Sequence, residues 1–598
     1  MKGIRYIATI AFLSGLLFSC EDDFLERSPL TSINDGNFWE TPNDLKSYVN
    51  NFYNSMLASW NTWNAGPWRA DAANGADNDI TISYNKRMNG ENTLPTSGGG
   101  WSASDWAALR NINYFFDHYK TAVGDATAIN QYVGEALFFR ALFYFDKLRT
   151  FGDVPWLPAT VNIGSDLLYA SRTPRNEVAA HIMDDLDLAV SYLPARANGA
   201  WTGRVTKEAA LALQARIALY EGTWERHHAR KNTAFKVDGA DGTALLQKAA
   251  DAAGSLIALA DANGYPALDN TGVEDGYWLL FNRKDYSASK EVLLWRKYSF
   301  DDGLLHHWIS TTGTGDGCGI SKSMIDSYLC MDGQPIALSP LYLGDDSVTH
   351  VVANRDPRLN QTIQVPDSKH YIWIPDEMFS RPSIGASSST ANVTGYQRYK
   401  GHSADNAEYA NGQQSTTGCI YFRYAETLLI YAEAKAELGT LTQADADKTV
   451  NALRTRVGMT GLLDVNNIAT DPNWEFTGIS PLLQEIRRER KVELCCEGFR
   501  VDDIFRWAAA DELLVGKRPL GAKRLQFENI PDAPATFTAG VRRLTIDARG
   551  YIDPYQGFRQ MANGYQFNLD RDYLSPLPTN ELVLNRNLTQ NPGWETGE

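Results

Sequence analysis

The chain is poor in cysteine, with six in 598 residues, and no CxxC pair or Cys/His ligand spacing occurs among them. That excludes a disulfide framework and a structural zinc site, so Cys318, Cys330, Cys419, Cys495 and Cys496 read as buried thiols. It also lacks a basic excess, since 56 Lys+Arg face 72 Asp+Glu for a formal net charge of −16. Such a balance argues against a nucleic-acid partner, which needs a basic face, and against lying on anionic lipid. Beyond residue 20 no run approaches 18 consecutive apolar residues. No Pro/Ser-rich linker or charge block divides the chain, which argues for one large unit over residues 20–598.

Catalytic motifs are missing as well. There is no HExxH, and the neighbours His306-His307 and His227-His228 would point about 100° apart on a helix, the wrong geometry for a shared metal. The Gly313-x-Gly315-x-Gly317-x-Gly319 run lacks a P-loop lysine and a following helix. No GxSxG elbow is present, and glycosidase carboxylates cannot be paired without a measured separation. None of these patterns calls for a metal or a cofactor.

What is present starts at the N-terminus. Lys2 and Arg5 precede an apolar run from Ile7 to Phe18, then come Ser19-Cys20 and the acidic Glu21-Asp22-Asp23. A basic segment, a short apolar segment and a small residue before the break read as an export signal over residues 1–19. Cysteine at that place looks like a bacterial lipobox, in which Cys20 is lipidated and becomes the first residue. Phe18 is bulky for a lipobox, so a plain secretion signal is the alternative. Without residues 1–19 the chain keeps 54 Lys+Arg against 72 acidic residues, about −18.

Helical patterns dominate the rest. Thr173-Pro174 reads as a cap followed by proline at the first helical position, and Arg175 to Leu193 carries Val178, Ile182, Leu186, Ala189 and Val190 on one stripe. Thr206 caps the next helix, which is apolar nearly all round, as are Glu135 to Phe151 and Arg423 to Leu438. Glycines end the last two, at Gly152 and Gly439. Ser480-Pro481 starts a helix running toward Gly498, where Arg490, Glu493, Glu497, Arg500, Asp503 and Arg506 alternate in sign as a structural ion-pair lattice. Small residues beside large ones suggest tetratricopeptide-like helix pairs, irregularly spaced: the segments around Ala141 and Ala212 lie 71 positions apart. Between the helices, residues 60–104, 264–320 and 340–420 are irregular and rich in Gly, Asn, Ser and Asp. They carry Trp60, Trp63, Trp68, Trp101, Trp278, Trp295, Trp308 and Trp373, whereas Trp106, Trp201 and Trp507 fall in or beside helices and are assigned to the scaffold. Long irregular segments on a compact scaffold usually serve function.

The segments EALFFRALFYFDKLRTFGDVPWL, GRVTKEAALALQARIALYEGTW, YFRYAETLLIYAEAKAELG, ERKVELCCEGFRVDDIFRW and YLSPLPTNELVLNRNLTQNPGW resemble, in that order, the hallmark segments of the SusD/RagB family of surface lipoproteins. The resemblance runs from the lipobox to Trp594. It implies a mainly α SusD-like fold, with four tetratricopeptide-like helix pairs as scaffold and a loop-rich face that binds glycan. It implies a partner, a SusC-like TonB-dependent transporter, and a place on the outer membrane facing the cell exterior. It implies a binding protein and no enzyme.

Glycan binding needs flat aromatic faces rimmed by amide, carboxylate and guanidinium groups. Asp77 and Asn78 fall where the family carries an acidic, polar binding stretch, followed by Tyr84, Arg87 and Trp101. The central insert adds Tyr298, His307 and Trp308, with Trp278, Trp373 and Tyr396 as further candidates. The expected function is capture of oligosaccharides for delivery to the transporter. Peptide capture, as in the RagB branch, a surface glycoside hydrolase and a purely structural plug are the alternatives. The sequence does not name the glycan.

Overall fold

The computed structural model describes residues 38–57, 59, 71, 74–196, 201–309, 317–366, 381–386, 390–405, 407–410 and 414–594. Cys20 and the export signal lie outside the described residues, as do Trp60, Trp63, Trp68 and Trp373. The fold is mainly helical. Its scaffold runs through α1 (Pro42–Met56), α2 (Ala103–His118), α3 (Ala126–Phe151), α4 (Arg175–Tyr192), α5 (Lys207–Arg230) and α6 (Thr243–Asn263). After the central insert it resumes with α7 (Tyr424–Glu437), α8 (Val450–Arg456), α9 (Pro481–Glu493) and α10 (Arg500–Arg506). Helices α3 and α4 pack as a pair, α5 and α6 as another, and α7 packs on both α6 and α9.

Local chemistry explains these ends. The Thr41 side chain accepts from Asp44 N while Asp44 accepts from Thr41 N, a reciprocal cap ahead of Pro42. Asp125 accepts from the backbone of Thr127 and Ala128, which starts α3 nine residues before the expected Glu135. Gly152 ends α3 at φ +73°, where a side chain would meet Leu574. The expected Thr173 cap is corrected: Pro174 itself is the cap residue of α4, and Thr173 instead pairs with Val154 through two backbone hydrogen bonds while its Oγ1 accepts from Trp156 N. The stripe on α4 is as expected, with Val178, Ile182, Leu186 and Ala189 fully buried.

Strands are few. Strand β1 (Asp79–Thr81) pairs antiparallel with β3 (Cys318–Ile320), and β2 (Val292–Arg296) with β4 (Cys419–Arg423). These two ribbons stitch the irregular segments to the helices, since β4 leads straight into α7.

The charged lattice is structural, though it lies inside the protein and pairs across segments. Arg175 forks onto Glu221 at 2.9 and 2.7 Å and ties α4 to α5. Arg506 forks onto Glu433 at 2.6 and 2.8 Å and ties α10 to α7. Glu493 receives Arg456, Arg423 and Arg358, all buried. The helix that begins at Ser480 ends at Glu493, ahead of the expected stop at Gly498, because Cys496 turns left-handed at φ +63°.

Acid should unfold the protein through these carboxylates. Burial alone would raise Glu437, but the His227 and Arg487 charges and hydrogen bonds outweigh it and hold the carboxyl down to about 2. Its unfolded value is about 4.3. The stability it contributes is therefore complete above about pH 4.3 and lost as pH falls toward 2. Two buried carboxyls have the opposite sign. Burial, reinforced by the Asp79 charge, pushes Asp71 up to about 7, and burial beside Glu221 does the same to Glu225. Their burden on the fold eases as pH falls from about 7 toward 4. Urea midpoints measured across pH should rise from pH 8 toward 5 and drop between about 4.3 and 2. A midpoint that stays flat down to pH 2 would contradict the assignment.

Candidate functional site

The central insert builds outward from the β2–β4 ribbon, where Trp295 lies opposite Ile420. Trp295 is buried, stacks on Trp201 at 4.7 Å between ring centres and 26° between planes, and takes the edge of Tyr286 at 5.2 Å. Gly418 makes this contact possible: a Cβ there would lie 2.7–2.9 Å from ring atoms of Trp295 and Tyr286. Trp201 is half-buried, so one part of the stacked pair reaches solvent.

Past β2 the chain reverses in a tight hairpin, with Ser299 and Leu304 exchanging backbone hydrogen bonds of 2.9 and 3.0 Å. Phe300 stands at its tip 53% exposed, beside Leu304 at 44%. His306 then exchanges backbone bonds with Ser415. Its ring is an internal brace: Nε2 donates to the Thr417 carbonyl at 2.8 Å and Nδ1 accepts from Trp308 N at 3.0 Å. Burial pushes the His306 pKa down to about 4, so the ring is neutral at physiological pH. Tyr298 sets its edge against His306 at 4.6 Å.

The sequence-derived candidates divide into two groups. Tyr298, His307 and Trp308 do come together on this hairpin, but all three rings are buried, Trp308 at 2% exposure. Trp278 is equally enclosed, donating from Nε1 to the Tyr399 carbonyl at 3.2 Å and stacking on Tyr399 at 5.2 Å. Tyr396 is buried near Gln526. The second group, from the N-terminal stretch, packs elsewhere. Asp77 receives Arg500 through Nε and Nη2 at 2.6 and 2.8 Å; burial would raise this carboxyl, but Arg500 and Lys491 hold it well below the usual range. Asn78 donates to Asp71, and Tyr84 donates to Glu91 with its ring against Phe558. Arg87 donates to the carbonyls of Asp572 and Tyr573 and lies 4.8 Å over the Phe505 ring. Trp101 packs edge-on against Trp106 and Phe151.

Most of the rings expected to form an open aromatic platform are thus buried in this structure, Tyr84 being half-buried. Irregular chain still has to satisfy its backbone groups and bury its apolar rings. Here Trp295 and Trp308 form a second core with Tyr277, Phe281, Tyr286 and Cys419. Outside the expected site residues Trp201 is half-buried and Phe300 exposed, while among them Tyr84 is half-buried too. Trp201 was assigned to the scaffold for its nearness to a helix, yet it sits before the Thr206 cap in Asn198-Gly199-Ala200-Trp201-Thr202-Gly203, whose glycines mark a loop. Phe300 lies two residues from Tyr298, ahead of Asp301-Asp302-Gly303, a turn signal that places it at a tip.

Truncating a packed ring should cost stability. Trp101→Ala is expected to lower unfolding free energy by about 3–5 kcal/mol in chemical denaturation. A loss below about 1 kcal/mol would mean the ring is free to meet a ligand.

The comparisons with known proteins agree along the chain. A family model described as SusD family matches residues 300–594. A second, described as starch-binding associating with outer membrane, matches residues 23–219. SusD-like protein P2 of Formosa agariphila is 26% identical over 99% of this chain and 100% of its own length. SusD-like protein P38 of the same organism is 24% identical over 86% and 93%. Among solved structures, a SusD-like protein from Bacteroides fragilis has a TM-score of 0.68 at 23% identity, covering 95% of this chain and all of its own. A SusD-like carbohydrate binding protein from the same species has a TM-score of 0.69 at 20% identity, covering 92% and 100%. With both terminal and central segments matched and the helical fold shared end to end, the chain belongs to the SusD/RagB family.

Proposed function

We propose that this protein is a glycan-binding lipoprotein of the outer membrane that captures oligosaccharides and passes them to a SusC-like TonB-dependent transporter, and that it is not an enzyme. The observation that carries the reading is the match to SusD-family proteins over almost the whole chain, one matched family being described as starch-binding and one similar structure as carbohydrate-binding. Cys20, as the lipidated first residue, would tether the body. Among the described residues no helix is long and apolar enough to cross a membrane.

The stacked Trp201–Trp295 pair and the Phe300 tip supply the aromatic contacts in this reading. A ring held by a second ring is already ordered, so little conformational entropy is lost when a sugar stacks on it. Tyr298, His307, Trp308, Trp278 and Tyr396 act in this reading by shaping and stiffening the insert, and Trp373, outside the described residues, stays a candidate contact. Asp77, Asn78, Tyr84, Arg87 and Trp101 fasten the N-terminal stretch beneath it.

Affinity gels and calorimetry with a broad glycan panel test this reading. Purified full-length protein should bind at least one glycan, Trp201→Ala should weaken it roughly ten- to thirtyfold, and Phe300→Ala roughly three- to tenfold. Binding to peptides alone would replace the glycan reading with peptide capture. Release of reducing ends, abolished by a single carboxylate substitution, would replace it with a hydrolase.

A further inference from the structure

Cys495 and Cys496 are neighbours in the chain, and their sulfurs lie 3.5 Å apart. Adjacent side chains do not usually meet: on a helix they diverge by about 100°, and on a strand they point to opposite faces. Here the backbone changes hand between them. Helix α9 ends at Glu493, the Leu494 N–H donates to the Arg490 carbonyl, and Cys496 then turns left-handed at φ +63°. A left-handed residue other than glycine is uncommon and persists where its surroundings impose it.

Those surroundings are a dense set of hydrogen bonds. Lys400 Nζ donates to the carbonyls of Glu493 and Cys495 at 3.3 and 2.9 Å and to the Glu497 carboxylate at 2.7 Å. Glu493 and Glu497 flank the pair and both receive Arg423, each at 2.7 Å, so the turn sets where two buried carboxylates point. Beyond it, the backbone of Arg500 donates to Asp71 at 3.0 Å. Both thiols are fully buried, in a cluster with Ile320, Met324, Tyr328 and Val492.

A disulfide bond is about 2.05 Å long, so the sulfurs stand only about 1.5 Å beyond bonding distance. Disulfides form and persist in proteins that leave the reducing cytosol, and residues 1–19 read as an export signal. In the folded protein the hydrogen bond with Cys495, together with burial, pushes the Cys496 thiol well above its ordinary value. A thiol, unlike a thiolate, does not exchange. Closure therefore belongs to the time before the fold shuts over the pair, and the finished bond is then covered.

We propose that Cys495 and Cys496 are a modification site, at which the exported chain carries a disulfide between adjacent residues that locks the left-handed turn joining α9 to α10. The oxidant is an external disulfide. One cysteine thiolate attacks it, forming a mixed disulfide and expelling one donor thiolate. The neighbouring thiolate attacks the mixed disulfide at the cysteine sulfur, closing a small ring and expelling the second donor thiolate. The two cysteine protons pass to the two expelled thiolates, so two thiols are oxidised and one disulfide is reduced. The inference rests on the export reading and not on glycan binding, and either can fail without the other.

The test takes full-length protein from cells that export it, treated with iodoacetamide at harvest, denatured in urea with more of the same reagent and no reductant, and digested with trypsin. Most of the peptide of residues 492–500 should carry no alkyl group and weigh less than the free dithiol by two hydrogens. After reduction in urea it should take up two alkyl groups, whereas reductant without urea should leave the bond in place because the folded protein covers it. Two alkyl groups on most of that peptide before any reduction would overturn the proposal. A link from Cys495 or Cys496 to Cys318, Cys330 or Cys419 would overturn it as well. Cys495→Ser cannot form the bond, and its peptide should take one alkyl group on Cys496 without reduction. A Cys496 that stays unlabelled in that variant is bonded elsewhere, which also contradicts the assignment.

Discussion

One buried carboxylate organises the molecule. Glu493, at the end of α9, takes Arg456 at 2.8 Å on both oxygens, Arg423 at 2.7 Å and Arg358 at 2.9 Å. These three guanidiniums come from α8, from the last residue of β4 and from the central insert. Taking so many charges out of water costs several kcal/mol per ion, and only near-complete pairing offsets it. Glu291, Glu489 and Glu497 share in that pairing. The consequence is positional: wherever α9 goes, the β2–β4 ribbon and the insert are obliged to follow. The hairpin with Phe300 and the stacked Trp201–Trp295 pair are held on a frame whose alternatives leave a buried charge alone.

Much of the helical frame was legible in the residues because its signals are local. The stripe on α4, the caps at Thr206 and Ser480 and the glycine at the end of α7 are read from a few neighbouring side chains, and each stands as expected. The alternating charges of α9 and α10 also announced a structural role. Their burial was not legible, since an exposed lattice and an internal one share the same spacing. Pairs such as Arg500 with Asp77 or Arg358 with Glu493 join residues 423 and 135 positions apart.

The binding face was the least legible part, for a physical reason. A tryptophan in an irregular segment has two uses, to meet a ligand or to give the segment a core of its own, and composition does not separate them. Trp278, Trp308 and Tyr298 took the second use, each packed on another ring or on a backbone carbonyl. Arg87 and Asp77 likewise had partners from the C-terminal third of the chain that no local pattern could disclose. Trp201 and Phe300 sit near glycines, Gly203 and the Asp302-Gly303 turn. Turn chemistry around an aromatic residue was a better pointer to exposure than the density of aromatics in the segment.

The central claim is that glycan is captured on a face carried by the insert and held rigid by the scaffold. Hydrogen–deuterium exchange of the full-length protein, with and without the glycan it retains on affinity gels, tests that claim most directly. The account predicts new protection at residues 296–308 and 201–205, while α4, α6 and α8 exchange as before. Protection spread evenly over the helices, or absent from the hairpin and the Trp201 loop, would contradict it.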